Sequence, residues 1–183
     1  MLAESKRHIV GYHGTSVHNA VAVLHEGTFR PSQNDYDWLG HGIYFWEYAP
    51  YRAWNWARDK YGANAAVIQA TVRLGRCLDL TDIRYTEIIR GAFDELREVY
   101  AAKKMFIPTN RGRARCLDCL VINYVAQYIF PECETVRAPF LEGLPIFEGS
   151  ALLSASHVQV VVRRPVGIIT EVVRANELDI GEL

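Results

Sequence analysis

Leu39-Gly40-His41-Gly42-Ile43-Tyr44-Phe45-Trp46-Glu47 is the stretch whose reading decides the fold. Its second half is β-branched and aromatic, the side-chain types that suit a pleated, partly buried surface. The glycines before it mark a turn or a close approach of backbone. Upstream, Gly11-Tyr12-His13-Gly14-Thr15-Ser16 repeats the theme, with residues 8–12 reading as a strand that ends beside glycine. Together the two fragments suggest two strands that jointly hold a flat, polar ligand.

Working outward, Thr15 or Ser16 is placed to cap a helix, because a hydroxyl there accepts the free N–H groups of the first turn. Ala20, Val21, Val23 and Leu24 would give that helix its apolar side, and Gly27 would stop it in the left-handed region. Residues 28–40 are polar and turn-rich, the sign of a long loop, and loops of that length in compact domains are often functional. After the strand at 42–46, Pro50 suits a first helical turn, and Ala53, Trp54 and Ala57 recur at helical spacing. Residues 65–74 read as a strand, 84–103 and 117–130 as helices, and 158–163 and 167–173 as two late strands. Leu117, Leu120, Val121, Tyr124, Val125 and Tyr128 would share one side of the second of those helices, and the stretch 139–150 is rich in glycine and proline. Helices and strands mix without regular alternation, which predicts an α+β fold. No repeat or linker divides the sequence, so residues 1–183 read as one domain.

The chain has 183 residues, half of them hydrophobic and 22% charged, an ordinary globular composition. Its net charge of -1 advertises no overall affinity for nucleic acid, although a local basic patch is compatible with it. No apolar run reaches the roughly 18 residues of a membrane span, and Met1 to Arg7 carries no apolar signal core. The expected compartment is the cytoplasm, with Cys77, Cys116, Cys119 and Cys133 as reduced thiols. A four-cysteine zinc site would require all four to converge. Leu117, Leu120 and Val121 instead place the Cys116–Cys119 pair at a buried helix start, and no metal is expected.

Three elements bear on chemistry. In His13-Gly14-Thr15, the glycine backbone is open to an amide and the histidine to a sugar hydroxyl; the plainer reading is a strand-to-helix turn. The ring of Tyr44 forms one wall of a slot for an aromatic ligand, with Phe45, Trp46, Tyr48, Tyr51 and Trp54 available for the other; the plainer reading is that most of these rings are core. In Ser154-Ala155-Ser156-His157-Val158-Gln159-Val160-Val161-Val162, alternation sets Val158, Val160 and Val162 on one face and Gln159 with Val161 on the other. A glutamine among valines needs hydrogen-bond partners, either a ligand hydroxyl or a neighbouring loop.

His13, Tyr44 and Gln159, in this order, resemble the signature of the ADP-ribosyltransferase fold. The similarity is to the branch of poly-ADP-ribose polymerases and diphtheria-toxin-like enzymes, and it extends from residue 8 to about residue 170. The fuller stretches 36–47 and 156–165 look like a bacterial subgroup in which some members are toxins of toxin–antitoxin or phage-defence systems. The resemblance implies split mixed or antiparallel sheets flanked by helices, with NAD bound between the sheets. It implies that Gly14 holds the nicotinamide amide, Tyr44 stacks on the ring, His13 fixes the adenosine ribose and Gln159 orients the nicotinamide ribose. Thr15, Ser32, Asn34, Tyr51 and Trp54 are further candidates for contact with NAD.

Glutamine stands where many of these enzymes carry glutamate. An amide orients a hydroxyl but takes no proton at neutral pH. A base nitrogen that is already nucleophilic, or a proton acceptor among Glu47, Glu148 and His157, would meet the need. Chain elongation is disfavoured, and the expected activity is mono-ADP-ribosylation. For the acceptor, Arg111, Arg113 and Arg115 lie within Asn110-Arg111-Gly112-Arg113-Ala114-Arg115, and arginine pairs its donors with phosphate. These residues, with His157, point to RNA or DNA; a solvated loop or a clamp on the NAD pyrophosphate is the other reading. Arg163 and Arg164 follow Gln159, and alternation directs them to opposite faces. The alternatives are an NAD glycohydrolase, a protein acceptor, or a module that binds NAD without chemistry. RNA 2'-phosphotransfer would need basic residues that the sequence does not place. An antitoxin or inhibitor protein is the expected macromolecular partner, and no membrane is.

Overall fold

The computed structural model describes residues 1–176 and Ile180. Six strands are observed: β1 (Glu4–Ser16), β2 (Ile43–Glu47), β3 (Ala65–Asp79), β4 (Thr135–Phe140), β5 (His157–Val162) and β6 (Ile169–Arg174). The helices are α1 (Val17–Glu26), α2 (Pro50–Tyr61), α3 (Arg84–Ala102) and α4 (Cys116–Tyr124), the last continuing into a π-helical turn, Val125–Ile129. The fold is therefore α+β, with helices flanking a sheet. Ser16 caps α1, its hydroxyl accepting from Asn19 N at 3.2 Å, and Gly27 ends the helix at φ 65°. Ala20 and Val23 face the core, whereas Val21 and Leu24 are exposed, so the buried stripe of α1 is narrower than its apolar composition suggests. Tyr128 is likewise exposed, because the π turn rotates it away from the row of Val121 and Val125.

The strands close into a five-membered ring, β1-β2-β5-β4-β3 and back to β1, with β6 added to the outer side of β3. The split sheets that the resemblance implies are joined here by ring closure. The two halves remain visible. Long antiparallel ladders join β6, β3 and β1 on one side and β2, β5 and β4 on the other. Two short seams unite them. One is β1–β2, paired only at Gly11–Glu47 and Tyr12–Trp46. The other is the parallel β3–β4 contact, from Cys77–Thr135 to Asp79–Arg137. β4 is absent from the sequence reading because Arg137 and Pro139 interrupt its apolar pattern. It is nevertheless the strand that completes the ring.

Inside the ring Ile9, Ile43, Phe45, Ile68, Val72, Val160 and Val162 are almost fully buried. Outside it, α3 and α4 cover Val136 and Val161 through Leu96, Val121, Ile122 and Val125. A charged pair, Arg137 and Glu47, also lies within. Arg137 donates through Nε to Glu47 Oε2 at 2.6 Å, through Nη2 to Glu47 Oε1 at 3.0 Å, and through Nη1 to Asp79 at 3.1 Å. Arg7 reaches Glu47 Oε1 from β1 at 3.1 Å.

The glycine at the head of β2 has a clear cause. Gly42 sits at φ 151°, and a Cβ there would stand 2.5 Å from Val161 Cγ1 and 2.6 Å from Val162 O. Gly42→Ala is expected to cost about 3 kcal/mol in urea unfolding, since neither neighbour is free to move. Arg137→Met is expected to cost about 3–5 kcal/mol by leaving Glu47 buried without its main partner. Adding Glu47→Leu to that variant should recover part of the loss in the same measurement.

Candidate functional site

The three signature residues fall on three neighbouring strands, β1, β2 and β5, but not on one face. Tyr12 opposes Trp46, and Trp46 opposes Gln159, so these three side chains share the outer face with Tyr44. His13, one residue beyond Tyr12, points the other way. It packs on Phe29 and Phe45 at centroid distances of 5.4 and 5.7 Å. Its Nδ1–H donates to Tyr44 O at 2.8 Å, at the point where β1 and β2 part. Burial is the main cause of a pKa below the ordinary value for His13. Thr15 is buried on the same side.

Gly14 has a packing role as well. A Cβ there would lie 2.5 Å from Ala53 O and 3.1 Å from Trp56 Cε3, so the missing side chain is what lets α2 pack on β1. The Tyr44 hydroxyl is also engaged. It accepts from Leu39 N at 3.1 Å and donates to Gly40 O at 2.8 Å, and burial raises its pKa. Tyr44 thereby clamps the loop that carries Trp38. Ser32 and Asn34 build the same loop: Ser32 exchanges backbone hydrogen bonds with Gly42, and Asn34 Nδ2 donates to Ser32 Oγ at 2.8 Å.

From this loop Trp38 Nε1 donates to Gln159 Oε1 at 2.6 Å, the neighbouring-loop solution for a glutamine in an apolar strand. Trp38 also packs on Phe140 at 4.6 Å, Phe140 on His157 at 5.4 Å, His157 on Trp46 at 6.4 Å, and Trp46 on Trp56 at 5.6 Å. An aromatic surface thus surrounds Gln159 on the outer face of β2, β5 and β4.

Polar atoms without partners collect at its edge. Among the described residues, the buried side-chain atoms lacking any hydrogen bond are Trp46 Nε1, Arg52 Nε, Asn55 Oδ1 and His157 Nε2. All belong to β2, to β5 or to the first half of α2, whose N-cap, Ala49, offers no side-chain hydrogen bond. Arg52 pairs with Glu142 through Nη2. His157 Nδ1 lies 2.7 Å from Ala155 O. A carbonyl only accepts, so the proton sits on Nδ1 and Nε2 carries a lone pair. Burial, aided by the nearby Arg52 cation and opposed by the hydrogen bond to Ala155, lowers the pKa of His157. Unpaired buried groups are rare enough to require a reason, and a ligand with donors and acceptors supplies one.

Sequence reasoning missed Arg52, Asn55 and Trp56. Their i, i+3, i+4 spacing was a usable signal, since it opposes the buried Ala53 and Ala57. Tyr51 is exposed instead, and Trp54 is half-buried against the cluster around Tyr12 and Val67. Glu47 is removed from the proton acceptors by its ion pairs to Arg137 and Arg7. Glu148 lies exposed on the loop between β4 and β5. Arg111 and Arg113 are exposed, and Arg115 N donates to Tyr36 O at 3.3 Å, which joins this basic loop to the one bearing Trp38.

The cysteines are free thiols, and burial pushes Cys77 up to about 12 and Cys119 and Cys133 up to about 11. Among the described residues no group of three or more His, Cys, Asp or Glu side chains is placed to hold a metal, and no helix is long and apolar enough to cross a membrane. Two surface cavities are lined by neither His13, Tyr44 nor Gln159.

The two histidines give a pH prediction. Their folded pKa values lie below the ordinary value. The unfolded chain therefore takes up protons below about pH 6.5 that the folded chain does not, and stability falls as pH drops through that point. Urea midpoints measured from neutral to mildly acidic pH should decline. In His13→Gln or His157→Gln the decline should be shallower.

No family model matches the sequence. The chain is similar to an uncharacterized protein of Methanocaldococcus jannaschii, 33% identical over 122 residues. The match covers 62% of this chain and 54% of that relative, so the chain spans about half the length of the curated relative it matches.

Proposed function

We propose that the chain is a mono-ADP-ribosyltransferase that uses NAD as donor and a nucleic acid as acceptor, in the manner of a toxin or phage-defence enzyme. The observation that carries the reading is the unpartnered Nε2 of His157, two residues from Gln159 on the same face of β5. The order of His13, Tyr44 and Gln159 on adjoining strands supports it. So do the two half-sheets that part beside His13.

The residues fit a flat donor that carries hydroxyls and phosphates. Trp38 and Phe140 offer aromatic surface, backed by the buried Trp46. Gln159 and His157 offer polar atoms toward sugar hydroxyls, and the unpaired Arg52 Nε–H with the uncapped start of α2 offers donors toward phosphate. NAD would supply an ADP-ribosyl group on a cleavable bond to nicotinamide; that bond breaks, nicotinamide departs with the electron pair, and the acceptor forms the new bond.

The acceptor loses a proton in the process, and His157 is assigned to take it. Its Nε2 lone pair is free, and its lowered pKa keeps it neutral near pH 7. This answers the lack of a glutamate at position 159. Gln159, held by Trp38, orients a hydroxyl. Tyr44 acts as a positioning residue through its clamp on Leu39 and Gly40. The basic loop Arg111–Arg115 lies next to the Trp38 loop, and its arginines would meet the phosphates of a strand bound there.

Incubation with NAD labelled in the adenylate half, with RNA, DNA and protein extract in separate reactions, should label a nucleic acid. Nicotinamide release without a labelled macromolecule would make water the acceptor, and a folded protein yielding neither product would sink the reading. His157→Gln should lower transfer by about 100-fold and flatten its rise with pH. Tyr44→Phe keeps the ring and removes the clamp. It should lower transfer by about tenfold, whereas a residue that acts by stacking alone would leave Tyr44→Phe fully active.

A further inference from the structure

At the opposite end of β2 and β5 from His157, a cavity of about 400 Å³ is lined by Gln33, His41, Gln127, Arg163 and Arg164 among others. Alternation along the sequence directs the two arginines apart. Both line this cavity because β5 ends at Val162 and the alternation ends with it.

Among the described residues, neither guanidinium is neutralised by a carboxylate. Arg163 Nη1 donates to His41 O at 3.1 Å and to Asn123 Oδ1 at 2.9 Å, and Arg164 Nη2 donates to Pro131 O. Among the described residues no carboxylate forms an ion pair with either. The acids that flank the lining residues Pro131 and Cys133 are committed elsewhere. Glu132 accepts from Leu2 N at 2.9 Å, and Glu134 pairs with Arg73 at 3.3 Å and accepts from Arg76 N at 2.7 Å. Burial works against the charge of Arg163, and a bound anion would offset that.

The remaining donors are also unspent. The ring of His41 and the amides of Gln33 and Gln127 make no hydrogen bond among the described residues. Gln127 is carried into the cavity by the π turn Val125–Ile129. Such turns are uncommon and are frequent at functional sites.

We propose that this cavity binds a phosphate group, held by paired N–H donors of Arg163 and Arg164 with His41, Gln33 and Gln127 completing the shell. The choice of a nucleic-acid strand as the phosphate's carrier rests on the function proposed above; phosphate binding itself does not. Gly42 and Trp46 are separated by about 13 Å of strand. A phosphodiester anchored in the cavity would therefore leave a base a short way along the chain within reach of the Gln159 face.

The test measures binding without NAD. The probes are a short fluorescein-labelled single-stranded RNA, followed by anisotropy across a salt series, and inorganic phosphate, followed by its phosphorus NMR line width. Arg164→Ala, at an exposed position, is expected to weaken RNA binding about tenfold and to reduce the slope of log affinity against log salt by about 0.7. The same change should remove the phosphate broadening. Arg163→Lys keeps the charge and loses the planar fork, and should weaken both probes less. Phosphate binding that depends on Arg164, with no RNA binding, would support the site and make a small phosphate compound its ligand. Equal behaviour of wild type and Arg164→Ala toward both probes would overturn the proposal. Arg164-dependent binding without any transfer of ADP-ribose would instead refute only the function.

Discussion

The fold depends on one buried cation. Arg137 stands on β4, grips Glu47 of β2 with two donors and turns a third to Asp79 of β3. Glu47 belongs to the short β1–β2 seam and Asp79 to the short β3–β4 seam. A single guanidinium therefore ties together the two places where the ring has few backbone pairs. A charge so enclosed is tolerable only when its partners are complete. Arg7 adds a second cation on Glu47 from β1. The result is a polar lock inside a largely apolar barrel.

Closure of the ring sets the register of β2 against β5, and that register makes the outer surface. Trp46 comes to stand opposite Gln159, and Trp38, Phe140 and His157 join them in one aromatic field. Helix α2 lies against β1 through Gly14, Ala53 and Ala57, none of which holds it at a distance. This close seating brings Arg52, Asn55 and Trp56 to the edge of the same field. The unpaired nitrogen of His157 follows from its position there, with Nδ1 spent on Ala155 and Nε2 facing no protein donor.

Much of this was legible in the residues. The caps at Ser16 and Gly27, the Pro50 helix start and the strands at 42–46 and 65–74 follow local rules that the structure obeys. The candidate site was legible in part. Gln159 was marked by its valine neighbours and needed a partner, and His157 was among the possible proton acceptors. The face of His13 was not legible, because it depends on where β1 leaves β2. β4 was hidden by Arg137 and Pro139, a buried ion pair and a proline being poor strand signals. The packing of Gly14 under α2 and the clamp of the Tyr44 hydroxyl on Leu39 and Gly40 were not legible, because each depends on how the chain folds back on itself.

By itself the sequence determined most of the elements and their order, though not β4, and a set of histidine, tyrosine and glutamine positions that invites a functional reading. Those features arise from periodicity, capping and turn chemistry acting over a few neighbouring residues. Only the tertiary structure decided that the sheets close into a ring, that His13 and Gln159 face opposite ways, that Glu47 is locked by Arg137, and that Arg163 and Arg164 share a cavity. Each of these depends on cross-strand register or on where a strand stops. The bond from Trp38 to Gln159 spans 121 positions of sequence, and no local rule reaches across such a separation.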